Sequence, residues 1–168
     1  MLKFQPQLLL ESELLTPAFQ CGCAALHLQH REAGRSAFRF FDNLIDLVIR
    51  PTRGSFALSE ASLGALRTLL GGHGQQLVTA IITAIAGALP ASRVRLIAPL
   101  LKLLIEVEAD MCRTWASATM GSLPAETHAD GAVFIGAAFS REALCQEKVF
   151  INAAEAFSEA CRRKKAQL

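Results

Sequence analysis

Residues 34–50, which read GRSAFRFFDNLIDLVIR, carry the pattern that decides the fold. Large apolar side chains recur here at spacings of i, i+3, i+7 and i+10, and they are Phe38, Phe41, Ile45 and Val48. Such a spacing places them on one side of an α-helix. Polar residues fall largely on the opposite side, and Pro51 ends the pattern because its ring cannot continue a helix. The stretch therefore predicts an amphipathic helix from about Gly34 to Arg50.

The same period recurs along the chain, whereas alternating strand patterns are scarce. Helices are predicted at about 17–29, 34–50, 59–88, 93–107, 110–120 and 141–165. They group into three antiparallel pairs, at about 17–50, 59–107 and 110–165, each close to the length of a HEAT-type repeat. We therefore expect an all-α fold, a HEAT-repeat (armadillo-like) α-solenoid segment forming one block over 1–168. The period alone leaves a closed helix bundle open.

Three segments are expected to depart from this regularity. The glycines of 71–74 should weaken or break the third helix, because each interior glycine costs about 1 kcal/mol relative to alanine, and one kinked helix is the alternative. Residues 52–55 are predicted to form a loop, and 132–139 is the one segment with an extended character, since it contains adjacent Val133, Phe134 and Ile135.

Composition bounds the function. The 168 residues carry a net charge of only +2, which argues against a nucleic-acid-binding surface. With 52% apolar and 19% charged residues the chain is not intrinsically disordered. Its mean hydropathy of +0.33 indicates either a membrane or an apolar face that meets a partner. The uncharged run 68–92 has an apolar centre at 77–89, shorter than the ~20 residues that span a bilayer, so we expect no membrane segment.

Cysteine usage points to a reducing compartment. The chain has five cysteines, an odd number, and the N-terminus is a poor secretory signal. These features favour buried, reduced thiols in a cytosolic or nuclear protein. The cysteines are Cys21, Cys23, Cys112, Cys145 and Cys161.

Several motifs together resemble a known family. They are FQCGCAALHLQHREA at 19–33, FRFFDNLI at 38–45, GQQLV at 74–78, CRTW at 112–115 and GSLPAET at 121–127. In this order and spacing they resemble the C-terminal region of transportin-SR-type nuclear import receptors, which belong to the importin-β (karyopherin) superfamily of HEAT-repeat proteins.

The resemblance implies import of serine/arginine-rich (SR-type) splicing factors, released by the GTP-bound Ran GTPase, with the protein in both cytoplasm and nucleus. Cargo and Ran would bind through the full receptor, whose principal Ran-binding repeats and arginine-rich cargo helix lie outside the matched region. We therefore expect a fragment or a truncated product. A terminal solenoid block presents an apolar face to its missing neighbour, so the isolated chain should self-associate.

A basic cluster is the candidate protein contact. It consists of Arg162, Arg163, Lys164 and Lys165, at the end of the last predicted helix. Cations are favourable at a helix C-terminus, which explains the cluster without any partner. The functional alternative is a localisation signal or a contact with an acidic protein.

No residue set predicts catalysis, a cofactor or a metal centre. Cys23, His27 and His30 would share a helix face, but no fourth ligand lies nearby in sequence. Glu106, Glu108 and Asp110 are expected to form a solvated turn, and the glycines of 71–74 lack the other residues of a phosphate loop. We expect Trp115 to pack between helices.

The preferred function is thus protein binding, as part of an SR-type import receptor and without an enzymatic activity. The main alternative is a stand-alone helical-repeat scaffold or adaptor without a transport role. A small enzyme or an integral membrane protein is a weaker alternative, because active-site pairs are missing and the apolar spans are short.

Overall fold

The computed structural model describes residues 6–28, 30–50, 52–53 and 56–167. Within these ranges the fold is all-α, and the prediction of a helical-repeat solenoid segment is confirmed. The helices are α1 (Pro6–Leu10), α2 (Leu15–Ala25), α3 (Arg31–Ile49), α4 (Glu60–Thr83), α5 (Val94–Val107), α6 (Ala109–Ser122), α7 (His128–Ala138), α8 (Arg141–Cys145) and α9 (Glu147–Lys165).

Short irregular elements join these helices. Strands β1 (Thr52–Arg53) and β2 (Phe56–Ala57) pair in an antiparallel register, so the predicted loop at 52–55 is a minimal hairpin whose residues 54 and 55 lie outside the described part. Turns of 3-10 helix precede α5 and α7, at Ala91–Arg93 and Ala125–Thr127. The chain divides into two compact units, Met1–Leu77 and Val78–Leu168, and its description as one block stays a prediction.

The first unit is built on the packing of α2 against α3. The rings of Phe19 and Phe41 meet edge to face with centroids 5.1 Å apart, and both side chains are fully buried. The helices approach closely at Gly22, where a Cβ would lie 2.8 Å from Cζ of Phe41. A glycine is therefore what allows α2 to pack this tightly on α3.

The buried stripe of α3 is turned slightly from the predicted one. Phe41 and Ile45 are fully buried as expected, but their buried neighbours are Ala37 and Leu44. Phe38 and Val48 are only half-buried. The prediction was based on the largest apolar side chains, whereas the buried face of α3 is the one that contacts α2.

Ser59, with Glu60, has the sequence pattern of a helix start, and in the structure Ser59 caps the N-terminus of α4. Its hydroxyl accepts a hydrogen bond from the backbone N–H of Ser62 at 3.0 Å. Both serine hydroxyls donate to the carboxylate of Glu11, at 3.2 Å from Ser59 and 2.8 Å from Ser62. The first turn of α4 thus depends on a residue just beyond α1.

The predicted break at 71–74 is wrong, since α4 runs unbroken from Glu60 to Thr83. Buried side chains flank the glycines, with Leu69, Leu70 and Leu77 at most 4% exposed. Tertiary packing of these leucines therefore offsets the low helix propensity of the glycines. The helix ends in a π-helical turn, Ala84–Ala88, where Gly87 has a φ of 117°. That backbone conformation favours glycine.

The second unit packs around α9, which contacts α5, α7 and the turn Ala84–Ala88. The apolar period of 141–165 predicts a buried face made of Phe150, Ala154, Phe157 and Cys161, and this is confirmed because all four are at most 3% exposed. The sequence of 93–107 likewise predicts an apolar set, and its members are all buried in α5: Val94, Ile97, Leu101, Leu104 and Ile105. Both are amphipathic helices with a single covered face.

The predicted third pair, 110–165, contains four helices rather than two. The extended character expected for 132–139 is wrong, because these residues lie in α7 or at its C-terminus. A Cβ at Gly131 would lie 2.8 Å from Sδ of Met120, and Phe134 stacks on Phe157 at 5.0 Å. Packing against α6 and α9 thus outweighs the strand preference of Val133 and Ile135.

Residues 60–88 form one stretch among the described residues that is long and apolar enough to cross a membrane by length and composition. However, 56% of its most apolar window is buried inside the protein. The core helix of a soluble protein passes the same test, so this stretch is weak support for a membrane span.

Candidate protein-interaction surface

Two members of the basic cluster tie the end of α9 to neighbouring elements. Nε of Arg162 donates to the hydroxyl of Ser158 at 3.3 Å, and its guanidinium donates to the backbone carbonyl of Leu89. The ammonium of Lys164 pairs with the carboxylate of Asp130 and donates to the carbonyl of Glu126. These cations hold α9 against the residue that follows the π-helical turn and against the start of α7.

The other two members face solvent. Arg163 pairs with Glu159 at 3.1 Å, but both side chains are more than two-thirds exposed, so the pair adds little stability. Lys165 is exposed and is the last residue of α9. Of the four predicted contact residues, only Arg163 and Lys165 are thus available to an acidic partner without breaking a structural interaction.

An apolar groove of about 330 Å³ lies between α7 and α9. Four residues of each helix line it: Asp130, Val133, Phe134 and Ala137 from α7, and Ala153, Ala156, Phe157 and Ala160 from α9. Val133 stands at its rim with 73% of its surface exposed. Sequence reasoning missed this groove because it assigned no helix to 128–138.

Charges at the groove occur in pairs. Asp130, which lines the groove, is bound to Lys164, and Glu159 elsewhere on α9 is bound to Arg163. Asp130 is the charged residue of the groove lining, and it is paired with Lys164, so the groove offers a largely apolar surface.

The predicted helix face of Cys23, His27 and His30 does not form. Because α2 ends at Ala25, His27 and His30 lie beyond it, and Nδ1 of His30 instead accepts the N–H of Ala33 at 3.4 Å as the cap of α3. Burial lowers the pKa of His27 and raises the pKa of Cys23 to about 12. Among the described residues, no three His, Cys, Asp or Glu side chains are grouped so as to hold a metal ion.

The remaining buried thiols are held in the protonated form. Burial, with a smaller contribution from Glu108, raises the pKa of Cys112 to about 12, and burial with the nearby Asp130 raises that of Cys161 to about 11. A nucleophilic cysteine requires the opposite shift. These thiols are therefore core side chains.

The acidic edge lies on the surface, as predicted. Glu106 pairs with Lys102 one turn earlier in α5, while Glu108 and Asp110 are exposed. Trp115 is half-buried on α6. The guanidinium of Arg113 lies 4.5 Å from the ring centroid of Phe139, a cation–π contact that sequence spacing did not indicate.

Comparison with known proteins gives a distant relationship. No protein-family model matches the chain. The chain is similar to Transportin MOS14 of Arabidopsis thaliana, with 24% identity over 165 residues. The alignment covers 96% of this chain and 16% of that protein, so the chain spans about one sixth of the length of this curated relative.

The chain resembles a transportin at the level of the helical repeat. The similarity extends over both compact units and indicates a distant, karyopherin-like relationship.

Proposed function

We propose that this chain is a protein-binding part of an SR-type nuclear import receptor, shared between cytoplasm and nucleus. The single observation that carries the proposal is its similarity to a transportin over 96% of its length. The helical-repeat fold is compatible with that role because stacked helices expose long faces to protein partners. In the whole receptor, SR-type splicing factors would be the cargo and GTP-bound Ran would release them.

Binding is the whole of the proposed activity, and no catalytic step is assigned. The described thiols with a resolved pKa shift are shifted away from reactivity. Glu106, Glu108 and Asp110 are exposed to water, whereas acid–base catalysis by paired carboxylates takes place in a cleft.

The contact that we assign to an acidic or phosphorylated partner is the exposed pair Arg163 and Lys165. Phosphate groups on serine are strong acceptors for arginine and lysine. Arg163 would exchange its exposed pair with Glu159 for such a group at little cost in stability.

A pull-down tests the proposal, with a phosphorylated serine/arginine-rich segment as bait and GTP-loaded Ran present or absent. The double variant Arg163→Ala/Lys165→Ala should weaken capture. The matched variant Arg141→Ala/Lys148→Ala, which removes two exposed cations elsewhere in the second unit, should not. If the bait captures both variants equally well, Arg163 and Lys165 are not the contact residues.

The alternative is a helical-repeat adaptor without a transport role, since a fold of this type serves many kinds of binding. The two functions differ in their response to Ran. The adaptor would be favoured if GTP-loaded Ran changes bait binding neither for the chain alone nor for a longer receptor that contains it.

A further inference from the structure

Lys164, a member of the basic cluster, is bound to a carboxylate outside its own helix. Its ammonium pairs with Asp130 in the first turn of α7, and it donates to the backbone carbonyl of Glu126 in the turn before that helix. The side chains of Lys164 and Asp130 are 33% and 32% exposed. An anion that arrives from solvent can therefore reach this pair.

Asp130 occupies the place on Lys164 that an anionic partner would take. Carboxylate and phosphate oxygens are alternative acceptors for a lysine ammonium. Lys164 stands between Arg163 and Lys165 in the sequence, and these are the two cations that we assign to an acidic or phosphorylated partner. A partner at that contact thus meets a third cation, which is already bound within the protein.

The pair between Lys164 and Asp130 can open without loss of a buried interaction. Asp130 lies in the first turn of α7, where the helix dipole favours a negative charge, so its carboxylate stays stabilised when Lys164 leaves. The carbonyl of Glu126 is in an exposed hydrogen bond and can be hydrated instead. Arg162 differs, because its bond to the Leu89 carbonyl is partly buried.

We propose that Asp130 is an internal competitor for the basic cluster, and that an acidic or phosphorylated partner displaces it from Lys164. The inference rests on the proposed contact at Arg163 and Lys165, and it adds a third contact residue together with the regulation of that contact. Because the partner must displace Asp130, weakening the internal pair increases the affinity for the partner.

Fluorescence anisotropy of a labelled phosphoserine–glycine peptide with the 168-residue chain tests the competition. This peptide carries no arginine that could itself bind Asp130. Asp130→Asn keeps the size of the side chain but removes its charge, and it should lower the Kd of the peptide about two- to fivefold, as expected for the loss of a partly exposed ion pair.

Glu155→Gln is the matched control. It removes one carboxylate charge from another ion pair of the second unit, the pair with Arg95, and the exposure of its side chain is also 32%. The net charge of the two variants is therefore the same. Glu155→Gln should leave the affinity nearly unchanged, which separates the effect of the internal pair from a general gain in positive charge.

The gain in affinity depends on Lys164. Lys164→Gln should weaken peptide binding, and Asp130→Asn should give no further gain in a chain that already carries Lys164→Gln. This double-variant comparison isolates the coupling between the two side chains. Circular dichroism confirms that each variant is folded.

Two results overturn the inference alone. They are equal affinities of Asp130→Asn and Glu155→Gln, and a gain that persists in the absence of Lys164. In either case the contact at Arg163 and Lys165 stands if Arg163→Ala/Lys165→Ala still weakens peptide binding. A peptide that binds neither the unchanged chain nor any variant overturns both the inference and that contact.

Discussion

The guanidinium of Arg162 near the end of α9 donates a hydrogen bond to the backbone carbonyl of Leu89, the residue that follows the π-helical turn. The two residues lie 73 positions apart in sequence. The bond supplies the carbonyl at the end of a helix with a charged donor. A residue that looked like part of a surface cation cluster is therefore a structural link.

Replacement of this arginine should destabilise the second unit. Arg162→Met keeps most of the aliphatic stem but leaves the Leu89 carbonyl and the Ser158 hydroxyl without their donor, at a cost of about 1–3 kcal/mol. Urea denaturation followed by circular dichroism measures it. Arg163→Met is the control, because its exposed pair with Glu159 is worth at most about 1 kcal/mol. Equal losses in the two variants would show that the Arg162 bond is not structural.

A methyl group at Gly22 should separate α2 from α3. The added Cβ would lie 2.8 Å from the ring of Phe41, which is fully buried and has no room to turn aside. We expect Gly22→Ala to lower the free energy of unfolding by about 1–3 kcal/mol. Gly64→Ala on the exposed side of α4 meets nothing within 4 Å and should instead gain about 0.5–1 kcal/mol. A stable Gly22→Ala protein would mean that α2 shifts without loss of packing.

A glycine is required at position 87 because of the backbone conformation there and not because a side chain would clash. A Cβ there would make only an ordinary contact, 3.8 Å from Cγ of Arg162, yet the φ of 117° is strained for any other residue. Gly87→Ala should cost about 1–3 kcal/mol in thermal or chemical unfolding. Gly71→Ala, in the same continuous helical run but with nothing within 4 Å, should stabilise by about 1 kcal/mol. If Gly87→Ala were more stable than Gly71→Ala, the observed backbone conformation at the end of the helix would be contradicted.

Thiol reactivity should divide the cysteines into two groups. Cys21 and Cys145 are exposed, whereas Cys23, Cys112 and Cys161 are buried. Labelling of the native protein with a chromogenic disulfide should modify two thiols rapidly. The other three thiols should react only after denaturant unfolds the protein. Because burial raises the pKa of the buried thiols to about 11 or 12, a rise from pH 7 to pH 9 should leave them largely unreactive. Fast reaction of a third thiol would show that one of these core sites opens.

The sequence was most informative where a helix buries one face. For α5 and α9 the apolar period alone predicted the buried residues, since nothing but the covered face needs to be apolar. The fold class followed from the same period.

Prediction failed for α7, where residues 131–138 are apolar on every side of the helix and so have no period to detect. There the β-branched and aromatic residues at 133–135 indicated a strand, whereas in the structure Gly131 lies close to Met120 and Phe134 stacks on Phe157 within a helix. The groove was lost with the helix. The basic cluster was predicted. However, a run of four cations in a sequence does not indicate which of them bind a carbonyl or a carboxylate that is distant in sequence, as Arg162 and Lys164 do.

The shared carboxylate of Glu11 makes the beginning of α4 part of the tertiary structure. Ser59 and Ser62, 48 and 51 positions further on, both donate to it, and Ser62 is fully buried. Proteolytic trimming past residue 11 would therefore do more than shorten a terminus. It would remove the acceptor from a buried hydroxyl and fray the first turn of a helix that the protease never touched.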